Sequence, residues 1–180
     1  MAARIARFNK VSFDQFMKDW CNTFELYESD YSIDPNVRKD IESIYGGIEL
    51  PTRATTGSAG YDFCSPLTFS LEPGETIKIP TGIRCWMSNG WVLMVSPRSG
   101  LGFKYRLQLD NTVGIIDEDY YYSDNEGHIF IKITNDSKED KTVEILRGKG
   151  VAQGIFVPYG ITVDDDAYAV RNGGFGSTDK

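Results

Sequence analysis

Arg84-Cys85-Trp86-Met87 and Trp91-Val92-Leu93-Met94-Val95 flank Ser88-Asn89-Gly90. Two short runs rich in apolar residues, separated by an Asn-Gly turn, read as a β-hairpin. The same grammar repeats on either side. Thr76-Ile77-Lys78-Ile79 and Ile129-Phe130-Ile131-Lys132-Ile133 alternate with the period of a half-buried strand, and Thr142-Val143-Glu144-Ile145-Leu146 and the run Val151 to Val157 complete the set. Short strands at such regular spacing predict an all-β antiparallel sandwich or barrel. No segment of helical length interrupts them after Pro51, which excludes a parallel α/β sheet.

The first fifty residues follow another rule. Ser12-Phe13-Asp14-Gln15 has capping-box spacing, and Phe13, Phe16, Met17, Trp20 and Phe24 follow at helical intervals. Asp34-Pro35 reads as an N-cap with proline at the first helical position; Val37, Ile41 and Ile44 form the apolar stripe, and Gly46-Gly47 ends it. Two short amphipathic helices result, and the large apolar side chains of the first require cover from the main domain or a neighbouring subunit. The predicted organisation is a helical extension over 1–47, a β domain over 48–170 and a glycine-rich tail over 171–180.

Composition narrows the function. Of 180 residues, 41% are hydrophobic, enough for a core. Lys and Arg total 19 against 26 Asp and Glu, a formal net charge of -7, which argues against nucleic acid as the partner. A small polyanion remains compatible, given local cations and a metal. No apolar run reaches membrane length, no signal peptide is evident, and Cys21, Cys64 and Cys85 lack metal spacing. The expectation is a cytoplasmic protein with reduced thiols and no membrane. The single histidine, His128, makes a His-based metal site or Ser/His hydrolase improbable.

Four interior segments break the strand pattern with small, charged or turn residues. They are Gly57-Ser58-Ala59-Gly60-Tyr61-Asp62-Phe63, Pro97-Arg98-Ser99-Gly100-Leu101-Gly102, Asp110-Asn111-Thr112-Val113-Gly114-Ile115-Ile116-Asp117-Glu118-Asp119-Tyr120, and Gly148-Lys149-Gly150-Val151-Ala152-Gln153. The tail Arg171-Asn172-Gly173-Gly174-Phe175-Gly176-Ser177-Thr178 makes a fifth. Too polar for a core, that tail has the chemistry to close over a ligand: a ring to stack on a base, and hydroxyls, N–H groups and an arginine for phosphate.

In order and spacing, these segments resemble the five motifs of the trimeric dUTP pyrophosphatases (dUTPases), over roughly Ile48 to Thr178. The resemblance implies an antiparallel β-sandwich of jelly-roll type, a homotrimer with shared active sites, and hydrolysis of dUTP to dUMP and pyrophosphate with Mg²⁺. It also implies the cellular role, limiting uracil in DNA and supplying dUMP for thymidylate synthesis. It assigns Arg98, Ser99 and Gly100 to the α- and β-phosphates, and Gln153 to a phosphate hydrogen bond. Asn111, with the backbone of Gly114 and Ile116, reads uracil in a narrow hairpin. Tyr120 packs on the deoxyribose and leaves no room for a 2′-hydroxyl. Asp117 positions the attacking water; carboxylates are weak bases at neutral pH, so orientation is its larger contribution. Phe175 stacks on uracil, with Arg171, Gly176, Ser177 and Thr178 near the γ-phosphate. Asp62 orders waters at the metal or a subunit contact, and Mg²⁺ is otherwise held by the substrate phosphates.

Four departures stand out: Gly150 where the family usually carries arginine, Arg171 one residue closer to Phe175 than in common members, extra residues Tyr121 to Glu126 after Tyr120, and Asp179 where a final glycine is common. Two rival functions are a dCTP deaminase of the same fold and a dUTP-responsive regulatory protein whose N-terminal helices meet a protein partner. Lys132 stands where the deaminase needs its catalytic glutamate, which disfavours the first.

Overall fold

The computed structural model describes residues 3–29, 32–169 and 171. Strand β1 (Ala6–Lys10) precedes helices α1 (Phe13–Phe24) and α2 (Pro35–Gly46). Then come β2 (Thr52–Arg53), β3 (Tyr61–Cys64), β4 (Phe69–Leu71), β5 (Thr76–Pro80), β6 (Ile83–Met87) and β7 (Trp91–Pro97). A short helix α3 (Ser99–Tyr105) leads to β8 (Leu107–Leu109), β9 (Gly114–Ile116), a 3₁₀ turn over Glu118–Tyr122, β10 (Phe130–Asn135), β11 (Val143–Ile145) and β12 (Gly150–Pro158). The architecture is mostly antiparallel sheet: β2-β3-β12-β7-β9, β5-β10-β8, β1-β6 and β11-β4. Among the described residues no helix is long and apolar enough to cross a membrane.

The Asn89-Gly90 turn differs from its sequence reading. Its flanking strands do not pair with each other: β6 pairs with β1, and β7 pairs with β12 and β9. The turn therefore carries the chain from one sheet to another. Gly90 N–H donates to the Glu118 carboxylate at 2.7 Å, and its carbonyl accepts from Tyr159 N–H at 3.0 Å. The strand that takes the edge of β6 is β1, a segment too short and too basic to stand out in the sequence.

Both predicted helices form with the expected caps. The Ser12 hydroxyl accepts from Gln15 N–H, and Asp34 accepts from Asn36 and Val37 N–H ahead of Pro35. The capping box is only half made, because Gln15 turns instead to Asp19 at 2.8 Å and Ser12 N–H donates to Glu126 at 2.7 Å. Phe16 and Trp20 are buried, with ring centroids 5.2 Å apart, and they share one core with Ile41, Ile83, Leu93 and Ile131. Phe8 of β1 packs on Tyr61, Phe63 and Phe156 at 5.3–5.8 Å, closing that core from the other side. Cys21 and Cys85 are buried, Cys64 is half-buried, and all are free thiols; burial pushes the Cys85 thiol up to about 12.

Phe16 is fully enclosed, so its loss leaves a cavity that the surrounding rings cannot fill. Phe16→Ala is expected to lower the unfolding free energy by about 3–5 kcal/mol in urea titrations. A change below about 0.5 kcal/mol would show that the helix is not held by this core.

Candidate active site

The central feature is a cleft of about 600 Å³. It exists because β8 and β9, successive strands joined through Asn111, part company. β8 pairs with β10, whereas β9 pairs with β7 and, among the described residues, forms the edge of the five-stranded sheet. The expected narrow hairpin is thus splayed between two sheets. Its turn holds Thr112 at φ 66°, a left-handed conformation that a β-branched residue adopts only under constraint. Val113 N–H bonds back to the Asn111 carbonyl at 2.7 Å within that turn. Nothing in the residue pattern signals this strain.

The cleft gathers Asn111, Gly114, Ile116, Asp117, Tyr120 and Arg171, six of the residues selected from sequence. Phe130, Ile131 and Lys132 of β10 form the facing wall. Its size suits a small-molecule ligand, and its mixture of apolar wall and few polar groups is that of a recognition site. Lys132 is engaged with Asp110 at 2.7 Å, and Thr134 donates to the same carboxylate at 2.5 Å. Partial desolvation opposes the charge of Asp110, but those hydrogen bonds and the lysine charge outweigh it and hold the carboxyl below its ordinary value.

Arg171 stands elsewhere than a phosphate role alone implies. Its guanidinium pairs with Asp117, and with Asp119 at 3.0 Å, and it lies 5.8 Å from the Tyr120 ring centre. Asp119 was not singled out in the sequence. Tyr120 is buried, and its hydroxyl donates to the His128 carbonyl at 2.7 Å and accepts from Asn125 at 2.8 Å. Burial raises the pKa of the phenol, so it stays a hydrogen-bond donor. The remaining tail residues Phe175, Gly176, Ser177 and Thr178, and Asp179, lie outside the described residues.

A second group forms apart from the cleft. Arg98 occupies the N-cap position of α3 without a side-chain capping hydrogen bond, so the segment read as a tight turn is the start of a helix, with Ser99 and Gly100 in its first turn. The first N–H groups of a helix have no acceptor within it. Arg98 Nε lies 3.3 Å from Asp62. Gln153 is in register with Asp62 across β12 and β3 and with Ser96 across β12 and β7. Gly150 explains itself here: a Cβ at that position would come within 2.8 Å of the Arg98 side chain. An arginine at 150 would compete for the space that Arg98 occupies. Arg98, Ser99, Gly100 and Gln153 are not among the described residues lining the cleft, so one chain carries two separate groups of candidate site residues.

Comparison with known proteins shows the family. The dUTPase family model matches residues 47–179. A deoxyuridine 5'-triphosphate nucleotidohydrolase of Lactococcus lactis subsp. lactis is 44% identical over 135 residues, spanning 73% of this chain and 89% of that protein. The crystal structure of a dUTPase from Streptococcus mutans superposes with a TM-score of 0.56 at 36% identity, covering 76% of this chain and 95% of that one. A mutant dUTPase from phage phi11 of S. aureus, whose structure details the coordination of a structural Mg(II) ion, gives a TM-score of 0.54 at 26% identity, covering 67% and 90%. The matched span contains both groups of candidate residues and leaves out only the first 46 residues and Lys180; over that span the chain belongs to the dUTPase family.

Proposed function

We propose that the protein hydrolyses dUTP to dUMP and pyrophosphate as a Mg²⁺-dependent homotrimer. The observation that carries this reading is the cleft, where Asn111, the open edge of β9, Asp117 and Tyr120 border one space. Uracil presents an amide edge with donor and acceptors. The Asn111 carboxamide offers both complements, and the unpaired edge of β9 at Gly114 and Ile116 offers backbone groups of both kinds. Cytosine inverts part of that pattern and would leave buried groups unpaired, a discrimination of roughly 10⁴ or more. Tyr120 takes the deoxyribose face. Asp117 orients a water whose oxygen attacks phosphorus while the bond to the leaving pyrophosphate breaks and the water gives up a proton.

The phosphates are the role of Arg98, Ser99, Gly100 and Gln153, and charge developing on them is stabilised by aimed donors. Bound Mg²⁺ would neutralise phosphate charge as a Lewis acid. The described residues fit an ion that arrives with its nucleotide: they contain no cluster of three ligating side chains, and Mg²⁺ commonly uses phosphates, waters and one or two carboxylates. Asp62, beside Arg98, is the carboxylate that would reach it through water. Arg171 leaves Asp117 and Asp119 for the γ-phosphate when the tail closes, and Asp117 becomes available to the water.

The separation of the two groups supports an oligomer in which the phosphate group of one chain completes the cleft of another, and likeness to the dUTPases supports three copies. Phe103, 94% exposed, and Ile161, Val163 and Tyr168 after β12 offer apolar surface for such a contact. The jelly-roll sandwich is the reading of these antiparallel sheets that their likeness to dUTPase structures supports. Against a deaminase, Lys132 brings a cation already held by Asp110 where a carboxylate is needed.

Pyrophosphate release measured across the deoxynucleoside triphosphates is expected for dUTP alone; equal turnover of dCTP or dTTP would refute the reading. Asp117→Asn should retain nucleotide binding and lower kcat by at least about 10², and near-normal turnover would remove Asp117 from the mechanism. Mixing inactive Asp117→Asn with inactive Arg98→Ala should restore part of the activity, since some sites then receive both intact groups. A mixture that stays inactive after subunit exchange would contradict shared sites. Phe175→Ala is expected to lower kcat/KM by about 10- to 100-fold, the equivalent of one base–aromatic stack, with trimer mass and Tm unchanged. Deleting residues 171–180 should cost more; an unchanged kcat/KM would deny the tail any part in the site.

A further inference from the structure

The matched family span begins at residue 47, yet the segment before it grips the loop behind Tyr120. The grip has two points. Ser12, at the start of α1, donates through its N–H and its hydroxyl to the two carboxylate oxygens of Glu126, at 2.7 and 2.6 Å. Two turns later Asp19 meets His128 Nδ1 at 2.5 Å. His128 is fully buried, and its Nε2 accepts the Gly82 N–H at 2.8 Å. That nitrogen carries no proton, so Nδ1–H donates to Asp19. With both ring nitrogens engaged, the position of the residue is set, and its carbonyl is the acceptor for the Tyr120 hydroxyl.

The loop between them leaves little slack. Gly127 turns at φ 70°, and a Cβ there would lie 2.7 Å from the Tyr120 carbonyl oxygen and from the Tyr121 Cα. Arg84 donates to the Tyr121 carbonyl at 2.5 Å and lies over its ring at 3.7 Å. Desolvation works against the Glu126 charge, but the Ser12 hydrogen bonds and Arg84 outweigh it and keep the carboxyl below its ordinary value. The extra residues Tyr121 to Glu126 thus end on Glu126, which meets the N-terminal segment at Ser12.

We propose that Asp19, through His128, and Ser12, through Glu126, are positioning residues for Tyr120, so that the N-terminal segment sets how strictly the site separates deoxyribose from ribose. The inference rests on the reading of Tyr120 as the sugar-facing residue. A ring held from behind by a fixed carbonyl cannot retreat from a 2′-hydroxyl; a ring on a released loop can. The segment acts on sugar choice and not on the base, because β9 is held by β7 and the turn at Asn111 by its own backbone hydrogen bonds.

The test is the ratio of kcat/KM for UTP to that for dUTP, measured on the full-length trimer. Tyr120→Ala is the control and should raise the ratio strongly. Asp19→Ala is expected to raise it about 10-fold, whereas Asp19→Asn keeps an oxygen acceptor for Nδ1–H and should stay near the unmodified protein. Glu126→Ala, at the more exposed grip point, should raise the ratio by a few-fold and serves if Asp19→Ala does not fold. A purely structural role would lower Tm and leave the ratio alone. If Tyr120→Ala shifts the ratio and the Asp19 and Glu126 variants that fold do not, the positioning role is overturned while the sugar-facing reading stands. If Tyr120→Ala does not shift it, that reading fails and the inference falls with it.

Discussion

The pairing of β12 with β7 is the constraint on which both parts of the site depend. The ladder runs from Ala152 opposite Pro97 to Pro158 opposite Trp91, and buried Leu93, Val95 and Ala152 lie along it. Because side chains alternate along a strand, a slip of one residue would send Gln153 to the other face and move Gly150 away from Arg98. The other edge of β7 carries β9, with Val95 opposite Gly114. One strand therefore holds β9 on one side and leads into Arg98 at its end. The ladder keeps the two groups of candidate residues apart within the chain, the separation on which the proposed sharing of sites between copies rests.

Charge in the cleft is arranged as exchangeable pairs. The chain is acidic overall, and two cations of the cleft are held by carboxylates, Lys132 by Asp110 and Arg171 by Asp117 and Asp119, while Lys78 lies over the Phe130 ring. Such pairs contribute little to stability where solvent reaches them. They do keep cations beside the cleft. In the proposed reaction a triphosphate would compete for the arginine, and its departure from Asp117 would free that carboxylate for water.

The N-terminal segment is part of this architecture by packing as well as by hydrogen bonding. Phe8, Phe16, Trp20 and Ile41 belong to the same core as the sheets, and α1 carries both contacts to the loop behind Tyr120. A helix that only covered apolar surface would need no buried carboxylate–imidazole contact. Burying Asp19 and His128 together carries a desolvation cost that pure packing would avoid.

Much of this was legible in the residues. Alternation marked the strands, Ser12 and Asp34 marked the helix starts, and Phe16 and Trp20 declared a buried face, because dihedral preference and burial periodicity are local properties. The motif segments marked Asn111, Asp117 and Arg98 as candidates by breaking the strand pattern; Asn111 and Asp117 border the cleft, and Arg98 does not. Partner choice was not legible. The Asn89-Gly90 turn specifies a reversal of the chain, but it does not specify which edge each strand will take, and β1 took the edge of β6. The splaying of β8 from β9, the pairing of Arg171 with Asp117 and the contact of Asp19 with His128 join residues remote in sequence, 54 and 109 positions apart in the last two cases. Local chemistry determined what each segment is able to do; only the competition among edges and charges in the folded chain decided what it meets.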